Sequence, residues 1–205
     1  MKIFNAEQKS LEWHELRRGK VTGTGLKRIL GTPATRKSYF MEVLAERLSV
    51  DEGVEESALE RGNRLEARAI EEFEKWSGKI VTQVGLCESD DSQFMASSPD
   101  GLIENDGKYT EAVEVKCLSS ANHIKAWLDN EVPDEYNAQC LQYFIVNPDL
   151  EKLYFVLFDP RVTMHPLHVI ELDRVEAEKD IAEAKEAELK FIAEVESKIS
   201  ELISI

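Results

Sequence analysis

Two strand-like runs joined by Asp-Gly constrain this chain more than any other feature. Leu102-Ile103-Glu104 and Thr110 to Lys116 flank Asn105-Asp106-Gly107, and Asp-Gly between such runs predicts a tight hairpin. A hairpin returns the end of its second strand to the start of its first. Asp100, in Ser98-Pro99-Asp100-Gly101, is therefore expected beside Glu114 and Lys116. Side chains alternate along a strand. Val113, Val115 and Cys117 are predicted to enter apolar packing, while Glu114 and Lys116 share the opposite face.

Two carboxylates and a lysine brought together in this way suit magnesium-dependent phosphodiester cleavage. A hard divalent cation takes oxygen ligands. It lowers the pKa of a bound water and offsets charge on the phosphorane. A lysine ammonium orients that water and steadies developing negative charge. Glu-Val-Lys alone reads more simply as a solvated ion pair. Pro-Asp-Gly at hairpin distance tips the balance toward catalysis.

The chain has 205 residues, enough for one domain, 1–205, with a substantial core. No apolar run reaches membrane-spanning length, and the first residues lack the apolar stretch of a signal peptide. Cys87, Cys117 and Cys140 are widely spaced, form no zinc pattern and are odd in number, so each is expected to be a small buried apolar residue. A reducing cytoplasm is the expected location.

Net charge is −15, an unusual balance for a protein that meets nucleic acid. Residues 1–37 hold nine Lys/Arg and three Glu, a local +6 that leaves −21 on the rest. A basic N-terminal lobe could contact phosphates. The bulk charge predicts weak, salt-sensitive non-specific affinity for a monomer, which a closed oligomer around its substrate would relieve by topology.

Helices are predicted over 7–18, with Leu11 and Leu16 inward, over 26–30 and over 39–48. Gly23-Thr24-Gly25 opens the second of these as an ordinary N-cap or, more weakly, an anion cradle. Pro33 is read as ending that segment, and 49–57 as a polar, acidic loop. A helix over 58–76 places Leu59, Leu65, Ala69, Phe73 and Trp76 at core spacing, with Gly62 as a point of close approach or a kink. Strands are expected over 79–86, 93–96, 153–158 and 168–172, and helices over 120–130, 136–146 and 173–203. In the last, Leu189, Ile192, Val195, Ile199 and Leu202 form an apolar stripe. The pattern is α/β: a central mixed β-sheet flanked by helices.

These residues together resemble the phage lambda exonuclease and YqaJ-type viral recombinase family of the PD-(D/E)XK nuclease superfamily. The anchors are Trp13-His14-Glu15-Leu16-Arg17-Arg18-Gly19 with Val21-Thr22, Gly62-Asn63-Arg64-Leu65-Glu66, Ser98-Pro99-Asp100-Gly101, Glu114-Val115-Lys116-Cys117, Tyr136-Asn137-Ala138-Gln139 and Phe158-Asp159-Pro160-Arg161. They stand in family order and cover nearly the whole chain.

The resemblance implies a restriction-endonuclease-like core and a role for each matched position. Asp100 and Glu114 resemble the metal-binding carboxylates, Lys116 the catalytic lysine, and Glu66 the helical glutamate near metal and water. The Val115 backbone carbonyl is a further ligand; the family often has leucine there. Arg17 resembles the arginine that grips a terminal 5′-phosphate. Thr24 stands at the family's serine in that pocket, and Ser98 and Gln139 match further lining positions. Trp13 and His14 are expected to pack.

The implied activity is a Mg2+-dependent 5′→3′ exonuclease on double-stranded DNA ends, with Mn2+ able to substitute. It would release 5′-mononucleotides and leave 3′ single strands for recombination by strand annealing. A homotrimer ring, a single-strand annealing protein as partner, and the cytoplasm of a bacterium carrying a phage or prophage complete the expectation. The alternatives are an endonuclease of the same superfamily and a catalytically silent DNA-end-binding module.

Overall fold

The hairpin forms where the sequence places it. In this computed structural model, which describes residues 1–48, 60–118 and 120–204, β4 (Gly101–Asn105) pairs antiparallel with β5 (Lys108–Lys116). Asp106 (φ 51°) and Gly107 (φ 80°) both take left-handed backbone, the two-residue turn that matches strand twist. Gly101 registers against Val113, which puts Asp100 level with the end of β5. The register shifts between Ile103 and Glu104, toward the turn end of the hairpin.

Ahead of the hairpin run β1 (Lys2–Phe4), α1 (Leu11–Arg17), α2 (Gly23–Ile29), α3 (Pro33–Leu48), α4 (Glu60–Ser77), β2 (Leu86–Glu88) and β3 (Ala96–Ser97). After it come α5 (Ser120–Asp129), α6 (Asp134–Val146), β6 (Lys152–Phe158), β7 (Leu167–Asp173) and α7 (Arg174–Ile203). The central sheet has order β4-β5-β6-β7 and is mixed, since β5 and β6 run parallel while the outer pairs are antiparallel. The α5–α6 stretch supplies the crossover that a parallel pair requires.

The sheet is buried on both faces. Val113 and Val115 of β5 pack with Ile103, Tyr154, Val156 and Phe158 under Ala69, Ile70 and Phe73 of α4. On the other face Leu102, Ala112, Leu153, Phe155 and Leu157 pack against Tyr143 and Phe144 of α6 and, beyond them, Phe191 and Val195 of α7. Each large side chain so enclosed contributes roughly 1.5–3 kcal/mol. β6, with six buried residues in a row, reads as the central strand it is.

The structure corrects several expectations. A second, three-stranded antiparallel sheet, β1-β2-β3, stands apart from the central one. Within the expected strand over 79–86 only Thr82 makes an isolated bridge, to Leu102, before the ladder begins at Leu86. Pro33 starts α3 rather than ending a segment: the first helical position has no intrahelical use for an N–H. Leu11 is 66% exposed, and α1 is a shorter helix than expected. Leu65, Trp76, Leu189 and Leu202 lie outside the core, while Phe191, Ile181, Ala184 and a glutamate, Glu188, complete the buried stripe of α7. Cys117 is exposed, unlike Cys87 and Cys140. The acidic loop over 49–57 and Leu59 lie outside the described residues.

The basic N-terminal lobe is partly neutralised within the molecule. Lys2 and Lys20 pair with Glu88, Arg28 with Glu42, and Arg36 with Glu194. Its cations therefore serve packing as much as any phosphate. Among the described residues no helix is long and apolar enough to cross a membrane.

Candidate active site

The C-terminal end of β5 carries the site. Asp100 precedes β4 and accepts a hydrogen bond at Oδ2 from the Val115 backbone N–H, 2.7 Å away. Glu114 and Lys116 project from β5 on the α6 face, as alternation predicts, and their side chains form an ion pair. Glu66 of α4 approaches Asp100 from the opposite side and, with it, lines a cavity of about 480 Å3. The hairpin, α4 and α6 thus converge on one strand end.

Glu114 is far more enclosed than a solvated strand face would make it, with a carboxylate 2% exposed. Three donors hold it there. Gln139 Nε2 donates to Oε1 at 2.5 Å, Tyr143 Oη donates to Oε2, and Lys116 completes the set. Gln139 Nε2 also lies 2.7 Å from Tyr143 Oη. Gln139 and Tyr143 are one helical turn apart on α6, which is why one helix face supplies both. Burial pushes the Tyr143 hydroxyl well above its usual range, and Glu114 pushes it further, so it remains a donor.

Burial raises the Asp100 carboxyl well above its ordinary range, and Glu114 and Glu66 raise it further against the opposing pull of the Val115 N–H and Lys116. Burial pulls Lys116 down, but Glu114 more than offsets this, so the ammonium keeps its charge, 5.1 Å from the Tyr136 ring centroid. Concentrated carboxylates that repel one another in a closed site are what a bound cation would relieve. The donor set fits a hard divalent ion: Asp100 and Glu114 oxygens, the Val115 carbonyl at the strand end, and Glu66 at longer range. Among the described residues no three His, Cys, Asp or Glu side chains close around a common point. An ion held by two carboxylates and a carbonyl keeps several waters, as magnesium prefers.

A second cluster adjoins the first. Arg17 stacks on Trp13, its guanidinium carbon 4.2 Å from the ring centroid, and donates to Ser98 Oγ at 2.7 Å and Thr22 Oγ1 at 3.2 Å. Trp13 is itself fixed by a 3.0 Å bond from Nε1 to the Gly85 carbonyl. Ser98, two residues before Asp100, ties the arginine cluster to the carboxylates. Thr24 is exposed, 3.4 Å from Thr22 by their hydroxyls. The Gly23-Thr24-Gly25 segment serves helix packing. A Cβ on Gly23 would stand 2.8 Å from the Gln139 Cα, and one on Gly25 2.1 Å from the Tyr39 hydroxyl. Glycine there lets α2 press Thr22 toward Arg17 and α6 toward Glu114.

The positions expected from sequence therefore gather near Asp100: Glu114, Lys116 and Glu66 beside it, Gln139 through Glu114, and Arg17, Ser98 and Thr24 in the adjoining cluster. Three participants escaped the sequence reading. Tyr143 had a usable signal, its spacing from Gln139. Thr22 stood in the motif but was passed over for Thr24. Lys9, whose ammonium lies 2.8 Å from Glu66, gave no signal, because it is far from Glu66 in sequence. Asp159 of the late-strand motif turns out to be a brace: it accepts from Ser120 Oγ at 2.6 Å and pairs with Arg161, joining β6 to α5.

Residues 12–148 match the YqaJ-like viral recombinase domain. The chain belongs to that family. Among solved structures it is similar to an alkaline exonuclease, LHK-Exo, from Laribacter hongkongensis, at 28% identity and TM-score 0.83 over 95% of this chain and 97% of that one. The same enzyme in complex with dAMP matches with TM-score 0.81 and 28% identity over 94% and 96%. A phage-related exonuclease from Haemophilus somnus shares the fold at 19% identity and TM-score 0.55, over 89% of this chain and 96% of that one. The uncharacterized protein YqaJ of Bacillus subtilis (strain 168) is 27% identical over 156 residues, 75% of this chain; the family member described here spans about half, 47%, of that relative.

Proposed function

We propose that this chain is a DNA nuclease: a Mg2+-dependent 5′→3′ exonuclease on double-stranded ends that releases 5′-mononucleotides and leaves 3′ single strands for strand-annealing recombination. The observation that carries the reading is the convergence of Asp100, Glu114 and Lys116 at one strand end beside the Arg17–Ser98 cluster. Membership of a viral recombinase family and likeness to an alkaline exonuclease, one structure of which holds dAMP, support it.

Asp100, Glu114 and the Val115 carbonyl would hold the magnesium, with Glu66 acting through water; manganese would substitute. A bound divalent ion lowers the pKa of water and offsets phosphorane charge. The chain's own groups do the rest. Tyr143 and Gln139 fix Glu114, Glu114 keeps Lys116 protonated, and the ammonium orients the attacking water and stabilises the developing charge. Arg17, steadied by Trp13 and Ser98, offers a bidentate grip to a terminal phosphate. That anchor would select the 5′ end and give the enzyme its direction.

A homotrimeric ring threaded by duplex would keep a chain of net charge −15 on its substrate. An annealing protein on the exposed 3′ strand, in the cytoplasm of a host carrying phage genes, fits the same activity.

The arginine anchor is testable on its own. Arg17→Ala should lower the rate on 5′-phosphorylated duplex by about 30- to 100-fold, the loss of a charge-assisted bidentate contact. Activity on 5′-hydroxyl duplex should fall less than about threefold by the same standard. Equal losses on both substrates in single-turnover assays would remove Arg17 from end recognition.

A further inference from the structure

Lys9 occupies a strained backbone position and lines, with Glu66 and Asp100, a cavity beside the site. Three described non-glycine residues have positive φ: Asp106, Asn130 and Lys9. Asp106 lies in the hairpin turn and Asn130 follows α5, places and residue types that suit left-handed backbone. Lys9, at φ 68°, is neither a turn glycine nor an Asn or Asp, and it immediately precedes Ser10, the N-cap of α1. Such a conformation persists where the surroundings impose it, and it marks positions worth a functional reading.

The surroundings are specific. Gln8 donates through Nε2 to the carbonyls of Pro99 (2.8 Å) and Val84 (3.2 Å), fastening the turn before α1 to the residue next to Asp100. The left-handed turn at Lys9 then aims its side chain at Glu66, to which Nζ donates at 2.8 Å. Both side chains are mostly enclosed, and both line the cavity that Asp100 shares. The ion pair offsets part of the charge that Glu66 sets beside Asp100.

We propose that Lys9 is a positioning residue that acts as resident counter-cation to Glu66 and sets how tightly the site takes a divalent ion. It rests on the metal-dependent reading above. With Lys9 paired, Glu66 is held in place and its negative charge is partly offset, so the site binds the ion more weakly than its carboxylates alone would. A cation entering beside Asp100 competes with the ammonium for Glu66. The arrangement keeps affinity low enough for exchange and keeps Glu66 oriented when the site is empty.

The test is Mn2+ binding to the DNA-free protein, followed by calorimetry, for wild type, Lys9→Met, Lys9→Arg, Glu66→Gln and the Lys9→Met/Glu66→Gln double variant. Removing one positive charge a few ångströms from the site should tighten Mn2+ binding by about five- to tenfold in Lys9→Met. Lys9→Arg should stay near wild type. In the Glu66→Gln background the Lys9→Met effect should largely vanish, since it acts through Glu66. Unchanged affinity in Lys9→Met, or an equal gain with and without Glu66, overturns the proposal and leaves the nuclease reading standing. No saturable Mn2+ binding by any variant overturns the cation site, and this inference with it. Thermal melts of each variant confirm that the compared proteins are folded.

Discussion

Lys116→Ala should lower DNA cleavage by on the order of 10³-fold while leaving affinity for duplex ends nearly unchanged. The loss corresponds to about 4 kcal/mol of transition-state stabilisation. Affinity should survive because Arg17, the proposed phosphate anchor, sits on α1 and is held by Ser98, Thr22 and Trp13, none of which depends on Lys116. Glu114 loses its cation but keeps two of its three hydrogen-bond donors, Tyr143 and Gln139, so thermal melts accompany the assay. Lys116→Met, which retains the side-chain bulk, should be equally inactive. Single-turnover cleavage and anisotropy binding on the same labelled duplex separate the two effects. Turnover within about tenfold of wild type would remove the lysine from the mechanism.

Glu188→Gln should stabilise the protein in mildly alkaline solution and do little in acid. Glu188 lies fully buried in the stripe of α7, where Gln142 Nε2 donates to its Oε1 at 2.9 Å. Among the described residues neither its Oε2 nor the Gln142 Oε1 has a hydrogen-bond partner. A neutral carboxyl at Glu188 supplies the donor that this pair is missing. Burial pushes its pKa up to about 8, against the opposing pulls of Gln142 and Lys185.

The folded pKa thus lies above the ordinary 4.5, so the native state holds a proton that the unfolded chain releases. The stabilisation is complete below the unfolded pKa and declines as pH rises through the folded one. Across that window wild type should lose about 3–5 kcal/mol relative to Glu188→Gln, whose amide has no charge to acquire. Denaturant melts of both proteins at pH 4.5 and pH 8.5 measure the difference. Parallel pH dependence would show that Glu188 is ionised in the native state. Gln142 also reaches toward the Val21 and Ala96 carbonyls, at 3.5 and 3.3 Å, so this pair ties α7 to the strands beneath the Arg17 cluster.

What the sequence revealed and what it hid follow from how local each signal is. The hairpin was legible because Asp106-Gly107 demands left-handed backbone and alternation then assigns Glu114 and Lys116 to one face. The long buried run of β6 announced the core, and the apolar spacing of α4 and α7 found Ala69, Phe73, Ile192 and Val195 but also took in Leu65, Trp76, Leu189 and Leu202, which lie outside it. The small sheet was not legible, because strands of two or three residues carry no periodicity. Leu11 fitted a helical stripe that no neighbour covers. Glu188 sat at core spacing but was passed over as polar, although a protonated carboxyl packs there. Thr22, Tyr143 and Lys9 enter the site through tertiary contacts: a glycine-permitted helix approach, one turn of α6, and a strained residue before α1. The charge excess of residues 1–37 was countable, but its consumption by Glu88, Glu42 and Glu194 was not.

On the proposed function, the Asp100–Glu114–Lys116 site works from a phosphate-anchored DNA end. The most direct measurement is digestion with Mg2+ of two substrates in parallel, a linear duplex with 5′-phosphates and a covalently closed circle, with products resolved as mononucleotides or longer fragments. Release of 5′-mononucleotides from the 5′ ends of the linear duplex, with the circle intact, is the result expected. A cut circle, or a linear duplex left whole, would contradict it.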